Sequence, residues 1–150
     1  MAGSNFGNKM VGWLLKSPLH GLLDGSTLLV SVTGRISGRP VITPVNYTRE
    51  GDVLWVTSQR NRQWWKNCRM CTQVDLLLKG RWVSGKVELI DEPDKVVRAF
   101  EHLFTLAPDL AKMYRVKSAS GDTLDSQKLA SLSERSVVLK IILAAGSVHS

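Results

Sequence analysis

Residues Val32–Asn67 read VTGRISGRPVITPVNYTREGDVLWVTSQRNRQWWKN, and this stretch decides the fold. Val41–Arg49 and Val53–Ser58 are rich in β-branched and aromatic residues, and Glu50-Gly51-Asp52 between them reads as a tight hairpin turn. Upstream, Leu28–Thr33 reads as another strand, joined to the hairpin by the two-glycine turn Gly34–Gly38. Pro40 and Pro44 have no N–H, so the strand that carries them cannot ladder fully on both sides and reads as an edge or a bulge. Such an edge leaves backbone groups that either solvent or the rim of a heterocycle can use. Gln63–Met70 predicts a short helix.

The same signals extend outward. Val74–Leu78, the turn Lys79-Gly80-Arg81 and Trp82–Ile90 form a second hairpin, and Ser136–Leu143 is a final β-branched strand. Near 5–16, Phe6, Met10, Trp13 and Leu14 fall at helical spacing, and Ser17-Pro18 stops the run. Glu92-Pro93 opens a helix over Asp94–Leu106, because proline is favoured in a first turn, and a second helical piece follows Pro108. Ser118–Ser126 is polar and reads as a mobile loop. Several hairpins with few helices between them give a mainly β (α+β) chain, an antiparallel barrel with helices packed outside.

At 150 residues the chain is expected to form one domain, 1–150, that buries about two-thirds of its unfolded surface. Its composition, 43% hydrophobic and 22% charged, argues against disorder. No apolar run approaches the ~20 residues that span a bilayer, and the first residues lack the long apolar core of a secretory signal. The expectation is a cytoplasmic protein. Met10–Leu23 could rest an apolar face on a lipid surface, but its weak amphipathicity favours packing on the barrel. Cys68 and Cys71 form a CxxC pair with no further ligand at zinc spacing and no thioredoxin-like context, so neither a metal site nor redox chemistry is assigned.

Charge points to the ligand. Arg35, Arg39, Arg49, Arg60, Arg62 and Lys66, with Arg69 just beyond, face only Glu50 and Asp52. That local excess of five makes up most of the net charge of +7 and suits a flat anionic ligand. Trp64 and Trp65 with basic neighbours also resemble a nucleic-acid stacking platform, but no RNA- or DNA-binding signature accompanies them, so no nucleic-acid partner is expected.

Taken in order, T-G-R-I-S-G-R-P, T-P-V-N-Y, V-T-S and W-W-K-N resemble the deazaflavin-dependent nitroreductase family of split β-barrel oxidoreductases. K-S-P-L-H-G-L-L upstream and L-K-G-R-W-V-S-G-K downstream extend the similarity over roughly residues 8–100. The resemblance implies coenzyme F420, with FMN as the alternative, and hydride transfer to a small-molecule enone, quinone or nitro compound. It places Arg35 and Ser37 at the coenzyme's phosphate or tail, and Thr43, Pro44, Ser58, Trp64, Trp65 and Asn67 around its ring and linker. Two positions depart from the family pattern: Ile36 and Val41 stand where relatives carry basic residues, and Arg39, Arg60, Arg62 or Lys66 would have to substitute.

The sequence shows no catalytic triad, no clustered carboxylates and no nucleophile beside a base, so no catalytic residue is assigned. Tyr114 is a candidate proton donor, or a packed helix residue with a wet hydroxyl. A split barrel that binds a flavin or deazaflavin without turnover remains the alternative function. Split barrels of this superfamily often pair, which makes a homodimer the default.

Overall fold

The computed structural model describes residues 27–121 and 123–144. The helix expected over 5–16 and the apolar segment Met10–Leu23 lie outside those residues. Six antiparallel strands, β1 (Thr27–Thr33), β2 (Pro40–Glu50), β3 (Val53–Gln59), β4 (Gln73–Leu78), β5 (Arg81–Ile90) and β6 (Ser136–Leu143), close a barrel in the order β1-β2-β3-β6-β5-β4. A 3-10 helix, Trp64–Arg69, follows β3. Three α-helices, α1 (Pro93–Leu106), α2 (Asp109–Met113) and α3 (Ser126–Arg135), separate β5 from β6. No helix among the described residues is long and apolar enough to cross a membrane.

Period-2 patterning fills the interior. Leu54 and Val56 on β3, Leu76 and Leu78 on β4, and Leu139 and Ile141 on β6 point inward, as alternation of a strand's faces requires. Where β5 meets β6, a Cβ on Gly85 would come 2.7 Å from Ile141 Cγ2, so the wall closes on a residue without a side chain. The turn between β4 and β5 puts both Lys79 (φ 50) and Gly80 (φ 82) in the left-handed region that a two-residue hairpin demands. A second core lies outside the barrel, where Phe100, Leu103, Leu129 and Leu132 of α1 and α3 cover Trp55 and Val138.

The prolines act where the sequence suggested, with one difference. β2 is not a free edge: Pro40–Asn46 pairs with β1, while Tyr47–Glu50 pairs with β3. The β2–β3 ladder stops at Tyr47 opposite Val56, so Pro44 sits in the half that pairs on one side only.

The region 118–135 also differs from expectation. Lys117 bridges to Leu124, Ser118 N donates to Thr123 O at 2.8 Å, and a helix follows. Asp125 caps it, its Oδ1 accepting from Gln127 N at 2.9 Å and Lys128 N at 3.0 Å.

One polar cluster ties α1 to the barrel. Glu50 Oε1 accepts from Trp55 Nε1 at 3.0 Å and lies 2.9 Å from His102 Nε2. Hydrogen bonds from His102 and then Trp55 hold the Glu50 carboxyl below its ordinary value of 4.5. A carboxyl depressed in the folded state stabilises above the unfolded value and loses that contribution as pH falls through the folded one. Urea unfolding midpoints should therefore drop on acidification below pH 4.5. Glu50→Gln should remove part of that acid dependence while leaving the slope with urea unchanged.

Candidate functional site

Beyond Tyr47 and Val56 the two strands part, and Pro44, Val45 and Asn46 face Thr57, Ser58 and Gln59 across a cavity of about 500 Å3. Trp64, Arg62, Tyr114 and Ser136 complete its lining. Trp64 reaches this opening from the 3-10 helix: its Nε1 donates to Ser58 Oγ at 3.0 Å, and Ser58 Oγ in turn donates to Gln59 O at 3.2 Å. The indole is 5% exposed, which fixes its plane against the gap.

Two further cavities share Tyr114. One, about 220 Å3, runs between the barrel and α1 and α2 and is lined by Trp55, Leu103, Leu110 and Met113 together with Asn46 and Thr57. The other, about 590 Å3, is lined by Gln59, Arg60, Leu132, Glu134, Arg135 and Ser136. Tyr114 itself packs edge-on to Phe100 and places its hydroxyl 2.7 Å from Thr57 Oγ1. A phenol thus stands where the three spaces converge.

The residues expected at the site divide into three groups. Pro44, Ser58 and Trp64 line the 500 Å3 cavity. Arg35 and Asn67 form an adjoining network: Asn67 Oδ1 accepts from Arg35 N at 2.8 Å and Arg35 Nη1 at 3.3 Å, while Arg35 Nη2 donates to Gln63 Oε1 at 3.2 Å. Asn67 Nδ2 donates to Trp64 O at 2.9 Å, so the two-glycine turn is pinned to the helix that carries Trp64. Ser37 stays within that turn, its Oγ accepting from Arg39 N at 3.1 Å. Thr43 shares the inward face of β2 with Val45 and is 5% exposed. Trp65 is 1% exposed in the barrel core. Both tryptophans are therefore buried, and only Trp64 of the pair lines the cavity where the resemblance placed both.

Cations sort as clearly. Arg60 holds the framework: Nε donates to Glu134 O at 3.0 Å, and Nη2 donates to Asp91 O at 2.6 Å and Ser136 O at 3.0 Å. Arg69 lies 5.0 Å from the Trp65 ring centroid and pairs with Asp91 at 3.3 Å, and Lys66 lies 5.9 Å from the same ring. Burial pushes the Cys68 thiol to about 11, and the neighbouring Cys71 adds to the shift, so the thiolate needed for nucleophilic chemistry is suppressed.

Thr57, Gln59, Tyr114 and Ser136 belong to the opening although the sequence reading left them out or, for Tyr114, unassigned. Ser136 was findable in principle, because β6 starts there and pairs with Gln59.

A closed six-strand antiparallel barrel with an opening between two strands defines the fold class, a split β-barrel with flanking helices. The family of F420H(2)-dependent quinone reductases matches residues 15–123, and the chain belongs to it. It is accordingly an F420-dependent reductase acting on a small-molecule substrate. No curated protein matches it in sequence. Among solved structures it is similar to a proposed 5-nitroimidazole antibiotic resistance protein from Bacteroides thetaiotaomicron (14% identity, TM-score 0.52, 90% of this chain and 78% of that one). A conserved hypothetical protein from Mycobacterium tuberculosis (17% identity, TM-score 0.52, 85% and 81%) shares the fold. So does the heme storage protein HutZ from Vibrio cholerae (10% identity, TM-score 0.52, 85% and 87%). At these identities the likeness is one of fold.

The opening suits F420 on its own terms. A planar heterocycle with donors and acceptors at its rim needs free backbone, and 44–46 and 57–59, laddered to β1 and β6 on their outer edges, have no β2–β3 partner on the edge that faces the gap. The Trp64 indole and the Pro44 ring give apolar surface beside that backbone. Framework and site should separate on mutation. Arg60→Ala strands three carbonyl groups and should cost about 2–4 kcal/mol of stability, read as a fall in the urea midpoint. Arg60→Lys, with a point charge in place of the guanidinium fork, should recover less than half of that loss.

Proposed function

We propose that this reductase passes hydride from reduced F420, held between β2 and β3, to a quinone. Enones and nitro compounds are further acceptors of the same class. The observation that carries the reading is the parting of β2 from β3 at Tyr47 and Val56, with the buried Trp64–Ser58 pair bracing the gap.

Bound in its reduced form, the coenzyme supplies a hydride. The chain's own residues bind, orient and protect. Pro44, Trp64 and the backbone of 57–59 would hold the heterocycle, with Ser58 and Asn67 fixing Trp64 from either side. Arg35 and Ser37 would sit toward the glutamate tail from the two-glycine turn. The acceptor would enter beside Tyr114 and lay its apolar part into the 220 Å3 cavity over Trp55, Leu103 and Leu110.

A quinone that gains a hydride becomes a hydroquinone anion and needs one proton. The Tyr114 hydroxyl, 2.7 Å from Thr57 Oγ1, would provide it, with the threonine able to stabilise the phenolate by donating in turn.

Titrating the protein with oxidised F420 should quench its tryptophan fluorescence saturably, and FMN should quench more weakly at equal concentration. Reduced F420 should then be oxidised in the presence of a quinone, and Tyr114→Phe should lower that turnover about 10- to 100-fold with little change in F420 affinity. Saturable binding with no oxidation by any quinone, enone or nitro compound would contradict the proposal and leave a coenzyme-binding protein without turnover.

A further inference from the structure

We propose that Arg62 is the cation that receives the phosphodiester of the coenzyme and sets this protein's preference for an anionic deazaflavin. The assignment rests on the F420 reading above and names the partner of one half of that ligand.

Elimination among the basic residues carries the argument. Arg35 is spent on Gln63 and Asn67, and Arg60 on three backbone carbonyls. Arg49 Nε donates to Gly51 O at 3.0 Å, at the hairpin tip. Lys66 and Arg69 lie against the Trp65 ring, with Arg69 also paired to Asp91. Of the basic residues between 35 and 69, Arg39 and Arg62 are the two whose guanidinium groups make no hydrogen bond or ion pair among the described residues. Of these, Arg62 alone lines the cavity between β2 and β3.

Among the described residues it is also the only charged one in that lining. No carboxylate offsets it there, so the cavity carries an uncompensated positive charge beside an otherwise neutral wall. The backbone keeps it in place: Arg62 N donates to Gln59 O at 3.1 Å, closing a turn between β3 and the 3-10 helix. Ile36, 90% exposed at the tip of the two-glycine turn, and Val41, packed against the barrel core, supply no charge from that side. Arg62 enters the cavity from the turn after β3 and supplies the charge that those two positions do not. A guanidinium there can grip a phosphate with two parallel hydrogen bonds.

The test compares two ligands on two proteins by tryptophan quenching: F420, and the deazaflavin riboside that lacks the phosphodiester and the glutamates. Arg62→Gln should lose about tenfold or more in affinity for F420 at low salt and nothing for the uncharged riboside. The wild-type preference for F420 over the riboside should also fall as salt rises, with a shallower dependence in the variant. Equal loss for both ligands would assign Arg62 a structural role, and no loss for either would remove it from the site; each overturns the proposal. Arg39→Gln should leave both affinities unchanged, and a tenfold loss for F420 there instead would move the phosphate site to the two-glycine turn. Wild-type protein that binds neither ligand would overturn the coenzyme reading itself, an outcome distinct from a variant that fails to differ.

Discussion

The β2–β3 ladder stops four residue pairs from the hairpin, and the rest of the architecture follows from that stop. A barrel wall that loses a ladder must satisfy its backbone some other way, since an unpaired buried N–H or C=O costs about as much as a lost hydrogen bond. Pro44 lowers the requirement by bringing no N–H to the gap. The remaining groups at 44–46 and 57–59 border a space that a flat polar ring can enter. The position that weakens the sheet is therefore the position proposed to bind.

Keeping such a gap open without unravelling the barrel needs a brace on each side. The 3-10 helix provides one. Trp65 enters the core, Trp64 closes on Ser58, and Asn67 ties both to the two-glycine turn through Arg35. Arg60 provides the other by collecting the ends of β5, α3 and β6 around a single guanidinium. The division of labour among cations is a consequence. Most of the basic excess between residues 35 and 69 is structural, fixed on carbonyls, amides and an indole face. Net charge alone overstates how much of it faces a ligand.

Local chemistry made much of this legible. Gly51 and the Lys79-Gly80 pair announce their hairpins because few residues tolerate the backbone those turns need, and Pro93 announces α1 because its missing N–H costs nothing in a first turn. Helix α3 escaped because its core face amounts to Leu129 and Leu132 on an otherwise polar segment, although the Asp125 cap was a readable start signal. The burial of both Trp64 and Trp65 could not be read, since adjacent residues of a short helix have no periodicity to separate core from surface. Least legible was Arg60: its acceptors lie 31, 74 and 76 residues away, and nothing local distinguishes it from Arg62 two positions on. One became a framework residue and the other a cavity cation through tertiary placement alone.

The central claim is that the gap braced by Trp64 and Ser58 is the coenzyme site, and the Trp64 indole N–H reports on it directly. In a 15N–1H spectrum, with indole resonances assigned by single Trp→Phe substitutions, addition of oxidised F420 should shift the Trp64 Nε1–H signal more than any other. The signal of Trp82, partly exposed on β5 two strands from β3, should stay in place. Saturable binding that shifts Trp82 or Trp55 and leaves Trp64 unmoved would contradict the account, because the ligand would then sit on the outer wall and not between the parted strands.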